Sequence, residues 1–237
     1  MNNNLRLQVG DWLGTVKGLG LLILVLLPLV GQGQEEEATV THDGLVLVED
    51  TDVHAAFIDP DADFSVFRRV AILRPDVAFR SNWQRDQNRT SRSRNVRASD
   101  VARIQEDVAD LFKDVFVEQL EAAGYEVVNY ADEDVLILRP TILDLGVTSP
   151  DVRSAGRSRT HAVSAGAATL LLELFDSMTG DIVGRAVDRR VTRGRGGFTT
   201  QSNRVSNRAE ARREFRVWAD KLIEFLDQHY VESGPGE

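Results

Sequence analysis

The segment Asp176-Ser-Met-Thr-Gly-Asp181 has the residue types of a phosphoryl-transfer site, an Asp followed closely by hydroxyl side chains and Gly. That chemistry needs the Asp at the carboxyl end of a parallel strand, beside a phosphate and Mg²⁺ site. Two apolar, strand-like runs flank this segment only six residues apart, so it reads instead as a hairpin turn. The four histidines, His42, His54, His161 and His229, are scattered and make no short metal-binding spacing. Gly194, Gly196 and Gly197 do not form a dinucleotide fingerprint, and no G-x-S-x-G nucleophile elbow occurs. Asp132, Glu133 and Asp134 are adjacent, and neighbouring strand residues face opposite ways. They read as a solvated turn rather than an acid/base pair.

Arg80 to Arg97 is the most distinctive run. It holds Arg80, Arg85, Arg89, Arg92, Arg94 and Arg97, with Trp83 among them. Guanidinium forks bind carboxylates and phosphates at two points, and an exposed Trp offers a stacking surface. Arg80, Trp83, Arg85 and Arg89 are therefore the candidate binding residues. Their expected partner is an envelope protein or an anionic surface component such as a lipid headgroup or a glycan carboxylate. In the competing reading the run pairs with the chain's own acidic segment and Trp83 tucks into the core. No cofactor, metal site or catalytic residue is indicated.

The 237 residues carry a formal charge of -9, which favours solubility and argues against nucleic acid as partner. Ten acidic residues and no Lys or Arg lie in 34–63, whereas 64–97 holds nine Arg against Asp76 and Asp86. The chain has no cysteine, so disulfides, thiolate chemistry and a lipid-modified Cys are excluded.

Residues 18–31 (GLGLLILVLLPLVG) form an apolar run after Lys17. A spanning helix needs about 20 apolar residues, so the run suits a signal peptide covering 1–33, with Gly31 and Gly33 near the cut. A short amino-terminal anchor is the alternative. Either places the domain in the periplasm or outside the cytoplasm, with membrane proximity through this segment.

Residues 34–63 read as a largely irregular acidic lead-in, apart from the short strand-like patch Leu45–Val48. A single domain over 64–231 and a disordered tail, 232–237, follow. Phe64–Leu73 is the first expected strand, and 80–98 is expected to be a long exposed loop. Val101, Ile104, Val108, Leu111 and Val115 recur at helical spacing from Asp100 to Ala123, with Ser99 or Asp100 as cap and Gly124 as terminator. Tyr125–Tyr130 and Val135–Leu145 are further strands, and Pro140 assigns the second to an edge or a bulge. Residues 149–161 form a second basic loop. Ala167–Phe175 and Ile182–Val191 make a hairpin, and a polar loop containing Gly194, Gly196 and Gly197 follows. A last helix runs from about Ser206 to Tyr230, with Asn207 and Glu210 as a capping box. The order β-α-β-β-β-β-α predicts an α+β two-layer sandwich: a mixed sheet with two helices on one face. The first crossover should be parallel and the later strands antiparallel.

The segments FIDPDADFSVFRRVAILRPDVAF (57–79), DVLILRPTILDL (134–145) and DSMTGDIVGRAVDRR (176–190) resemble the bacterial domain-of-unknown-function family 3313. LEAAGYEVV (120–128) and RAEARREFRVWADKL (208–222) resemble it too. The resemblance implies an exported protein of the envelope with no established activity. Its members are often lipoproteins, an anchor this Cys-free chain cannot carry. The element order is also similar to the amino-terminal domain of TolB, in topology alone. The expected function is a non-catalytic binding or accessory module. The alternatives are a small periplasmic hydrolase-like enzyme, whose carboxylates converge only in the fold, and a self-assembling envelope subunit.

Overall fold

The computed structural model describes residues 40–90, 95–147, 160–162, 164–193, 200–202 and 204–229. The apolar amino-terminal run and the tail fall outside them, as do most of the second basic loop and of the Gly-containing loop.

Strand β6 (Val135–Val147) is the middle of the molecule. Its alternation puts Leu136, Leu138, Pro140 and Ile142 on one face, all of them sealed from solvent. On one side it pairs antiparallel with β8 (Ser164–Asp176), which pairs in turn with β9 (Ile182–Arg193). On the other side it pairs in parallel with β3 (Arg69–Ile72) and then, further along, with β4 (Asp76–Phe79). β5 (Glu126–Val128) lies beyond β3, and β2 (Ala55–Ile58) and β1 (Val46–Val48) lie beyond β9. The eight strands form a mixed sheet in the order β1-β2-β9-β8-β6-β3-β5, with β4 continuing the β3 side of β6. β7 (Thr160–Ala162) and β10 (Thr200–Ser202) pair separately.

Helix α1 spans Trp83–Thr90, α2 spans Ala98–Ala122 and α3 spans Arg204–His229. Leu111, Phe112, Val115, Phe116 and Leu120 of α2 share one core with Phe215, Trp218, Leu222 and Leu226 of α3. Leu138 and Ile142 of β6 and Leu170, Leu172 and Leu174 of β8 complete it, so α2 and α3 cover the same face of the sheet. The α+β sandwich with its mixed sheet is the observed fold. The β3-α2-β5 crossover is parallel, and the hairpin from β8 to β9 is antiparallel. Gly124, at φ +96°, ends α2, and the Tyr125 N–H donates back to the Leu120 carbonyl.

Several elements differ from the sequence expectation. Within the lead-in 34–63, the strand-like patch Leu45–Val48 forms β1, and β2 is a further, unexpected strand; both extend the sheet. The expected strand Phe64–Leu73 begins as a 3-10 turn (Phe64–Val66), where the Asp63 carboxylate accepts bonds from the Ser65 N–H and hydroxyl. Asp100 does not cap α2 as its first residue. It lies one turn inside and accepts from the Arg97 N–H. α3 starts at Arg204, so Asn207 is already helical and Glu210 Oε2 has no hydrogen-bond partner. The Asn207–Glu210 capping box therefore does not form.

Pro140 sits in a central strand rather than at an edge. The Leu73 N–H donates to the Leu138 carbonyl, so the backbone of residues 138 and 140 faces the β3 side. There β3 pairs as far as Leu138 and β4 begins at Thr141. The donor that proline lacks thus faces the break between two partner strands. The bulge in β6 comes later, between Leu143 and Gly146, with Asp144 at φ +52°.

The link from β5 to β6 is not a hairpin, since both strands flank β3. It crosses the start of β3, where the Arg68 and Arg69 N–H groups donate to the Asp134 carbonyl. Arg69 clasps this link. Its Nε donates to Asp134 Oδ1 at 2.9 Å, its Nη2 to Asp132 Oδ2 at 2.7 Å and its Nη1 to the Tyr130 hydroxyl. Two residues of the acidic triplet, Asp132 and Asp134, therefore converge on one guanidinium. Hydrogen bonds from Arg69 and from the Glu133 N–H hold the Asp132 carboxyl below its usual range. A depressed carboxyl stabilises the fold above its unfolded pKa, and the contribution is lost as pH falls through the folded value. Arg69→Gln should therefore destabilise the protein at pH 7, and the gap to wild type should close below about pH 4. Urea denaturation across pH 2–7 reads this, and a gap that persists at pH 2 would contradict the clasp.

Candidate functional site

The stretch expected to be one long loop contains a helix. Arg80-Ser81-Asn82 turns tightly, with Asn82 at φ +63° and the Trp83 N–H donating to the Arg80 carbonyl. α1 then runs from Trp83. Its Gln84 and Asn88 amides donate to the Val96 carbonyl at 2.9 and 3.1 Å, and Asn88 Oδ1 accepts from the Val96 N–H. These side-chain bonds hold an eight-residue helix that its own propensity would not sustain.

Trp83 is not a surface platform. It is 2% exposed, stacks on Phe79 with ring centroids 4.0 Å apart, and its Nε1–H donates to the Val147 carbonyl at 3.0 Å. With Val96 and Ile104 it forms a small second core. The expectation that Trp83 stacks on a ligand is corrected: an indole this large is driven inside, and its N–H finds a backbone acceptor there.

Arg80, Arg85 and Arg89 do reach the surface together. All three are exposed, Arg85 and Arg89 are one helical turn apart, and Arg80 precedes the helix by three residues. Arg97 is exposed at the start of α2, and Arg92 and Arg94 lie outside the described residues. Among the described residues no carboxylate comes within 4.0 Å of the Arg80 or Arg89 guanidinium, and Arg85 Nε is 3.9 Å from Asp86. Elsewhere many arginines are paired, although Arg97, Arg189, Arg208 and Arg213 are, like Arg80 and Arg89, exposed with no ion pair among the described residues. Arg69 and Arg74 meet Asp134 and Asp110, Arg190 meets Asp188, and Arg212 and Arg216 meet Glu118. On the sheet face away from α2 and α3, Glu173 is 7% exposed and lies between Arg139 at 2.7 Å and Arg185 at 3.1 Å. Arg185 also pairs with Asp43. Among the described residues, the acidic lead-in thus pairs with Arg185 and not with the Arg80–Arg89 cluster.

The Asp176–Asp181 segment is a turn. Asp176 Oδ1 accepts from the Met178 and Thr179 N–H groups at 2.7 and 3.0 Å, and Gly180 takes φ +74°. This binds the Asp176 carboxylate into its own loop at the end of an antiparallel strand. Among the described residues no group of three or more His, Asp or Glu could hold a metal. No described helix is long and apolar enough to cross a membrane.

The model of the family described as a protein of unknown function (DUF3313) matches residues 43–222. The chain belongs to this family. No curated protein matches it at a significant level. Three solved structures are similar over much of their length. The PelC dodecamer from Paraburkholderia phytofirmans is 12% identical, with TM-score 0.37 over 68% of this chain and 91% of that one. A Xanthomonas campestris protein of the DUF330 family is 14% identical, with TM-score 0.41 over 69% and 87%. A minor lipoprotein from Acinetobacter baumannii is 10% identical, with TM-score 0.31 over 68% and 92%.

The α1 arrangement in this DUF3313 member makes a stability prediction. Trp83→Ala removes the stack on Phe79 and the bond to Val147, and should cost about 3–5 kcal/mol. Urea denaturation would show it, and a loss below about 1 kcal/mol would mean that α1 is not anchored through Trp83.

Proposed function

We propose that this DUF3313 protein is an exported, non-catalytic binding module that holds a phosphate-bearing, anionic envelope component on the basic face of α1. One observation carries the reading. Arg80 and Arg89 stand exposed without a carboxylate partner among the described residues, grouped with Arg85 and close in sequence to Arg97, in a domain where many other arginines are ion-paired. An unpaired guanidinium keeps its two-point donor geometry available for phosphate. The helix that bears Arg85 and Arg89, and that Arg80 leads into, is fixed by Trp83 and Asn88, so a ligand does not have to order it first. The apolar run at 18–31 and the family resemblance support an address outside the cytoplasm, where phosphate-bearing lipid headgroups are abundant. The overall charge of -9 does not oppose this, because screening limits its reach to about 8–10 Å.

The test is co-sedimentation with phosphatidylglycerol vesicles at 50 and 150 mM salt, beside phosphatidylcholine vesicles and free inorganic phosphate as competitor. Wild type should bind only the anionic vesicles, more weakly at higher salt. Arg80→Ser/Arg85→Ser/Arg89→Ser should lose on the order of a hundredfold in affinity, at about 1 kcal/mol per arginine. Equal binding of both vesicles, or an unweakened triple variant, would overturn the reading.

A further inference from the structure

The helix-facing side of the sheet is not filled evenly. β8 presents Leu170, Leu172 and Leu174 there, but the neighbouring strands present Gly184 and Ala186 from β9 and Ala56 from β2. Ala56 is in register with Ala186, so these two small residues lie side by side, while Ile58 stands beside Gly184 and bounds the floor. A Cβ on Gly184 would stand 3.2 Å from Leu174 Cδ1, so the strand sinks under that leucine. The floor therefore drops beneath the second half of α3, and a cleft of about 350 Å³ opens between α3 and the turn joining β1 to β2. Leu222, Phe225 and Trp218 form its helical wall. This size and apolar lining fall in the range of ligand pockets.

The exposed charges of the rim have one sign. Glu49, Asp50 and Asp52 on the β1–β2 turn are exposed, and Glu224 is exposed across the cleft on α3. Lys221 is tied down: its Nζ donates to the Asp52 carbonyl and lies 3.5 Å from Asp188 Oδ2. Asp188 is itself 9% exposed and held by Trp218 Nε1 at 3.1 Å and Arg190 Nε at 2.9 Å. Arg185 contributes to the lining, but its guanidinium pairs with Glu173 and Asp43. Free carboxylates on both sides of an apolar floor repel anions and attract a cation placed beside an apolar group.

We infer that this cleft is the docking site for a partner-protein segment that seats an apolar side chain on the Ala56–Gly184–Ala186 floor and places a flanking Lys or Arg between the rim carboxylates. The site differs in sign and in elements from the α1 face, so it is a second binding surface that does not depend on the first. The Leu-type anchor gains from leaving water, and the basic flank selects the segment and its orientation.

The test is an NMR titration of the full chain with capped peptides Gly-Lys-Leu-Lys-Gly, Gly-Lys-Ser-Lys-Gly and Gly-Glu-Leu-Glu-Gly, read at the Trp218 indole N–H. The first should shift that resonance and saturate. The second should bind at least tenfold more weakly, as expected for a lost aliphatic anchor, and the third should leave the resonance in place. Ala186→Leu should abolish the shift by filling the floor, and Glu49→Gln/Asp52→Asn should weaken the Lys peptide several-fold without touching the core. Saturable binding of the Glu peptide at equal strength would overturn the inference. So would an absent shift with the Lys-Leu peptide, or an undiminished one in the rim variant.

Discussion

The antiparallel and parallel pairings of β6 are the constraint on which everything else rests. A thirteen-residue strand with sealed side chains on one face, and partners along both edges, leaves its neighbours little freedom. Its even-numbered positions face α2 and α3, so a one-residue slip would bring Arg139 into the core and Leu138 out of it. Pairing with β8 also aligns Arg139 with Glu173, and β9 then aligns Arg185 with the same carboxylate. A buried carboxylate of this kind needs both guanidiniums, because losing either leaves charge uncompensated at low dielectric. The end of the same strand supplies the Val147 carbonyl that anchors Trp83. The basic face of α1 is therefore positioned by the core of the sheet, although none of its arginines touches that core.

The two surfaces follow from where the domain commits its charges. Several arginines serve the fold: Arg69 closes the crossing from β5 to β6, Arg185 ties Asp43 of the lead-in to the sheet, and Arg190 joins Lys221 around Asp188. Arg80 and Arg89 are left for solvent or a ligand. At the opposite sign, the carboxylates of the β1–β2 turn surround a cleft that exists because small residues interrupt the floor. The Asp132 and Asp134 carboxylates converge on a guanidinium, Asp176 serves its own turn, and Asp188 is crowded by donors to Oδ2.

The legible parts of the sequence were those with strong periodicity or demanding backbone chemistry. The stripe Ile104, Leu111, Val115 announced α2, Gly124 announced its end, and Gly180 announced the β8–β9 turn. Short elements were harder. β4 has four residues, and α1 has a single large apolar residue, so no stripe appears; its stability comes from Asn88 and Gln84 bonding to Val96, a contact only the fold creates. β1 showed as the patch Leu45–Val48, but β2 was hidden in an acidic stretch, where the pairing of Asp43 with Arg185 could not be inferred from spacing. Trp83 shows the same limit: a Trp among arginines is equally consistent with a platform and a peg until the neighbouring Phe79 and Val147 are in place. The cleft left no motif, since Ala56 and Ala186 meet across 130 residues of chain.

The central claim is that α1 presents its arginines to an anionic partner while the sheet holds it rigid. Hydrogen exchange of the full chain, with and without phosphatidylglycerol vesicles, tests this most directly. The account predicts slow exchange within β6 and β8 in both states, and added protection confined to residues 80–97 when vesicles are present. Protection appearing elsewhere, or exchange across 80–97 unchanged by saturating vesicles, would contradict it.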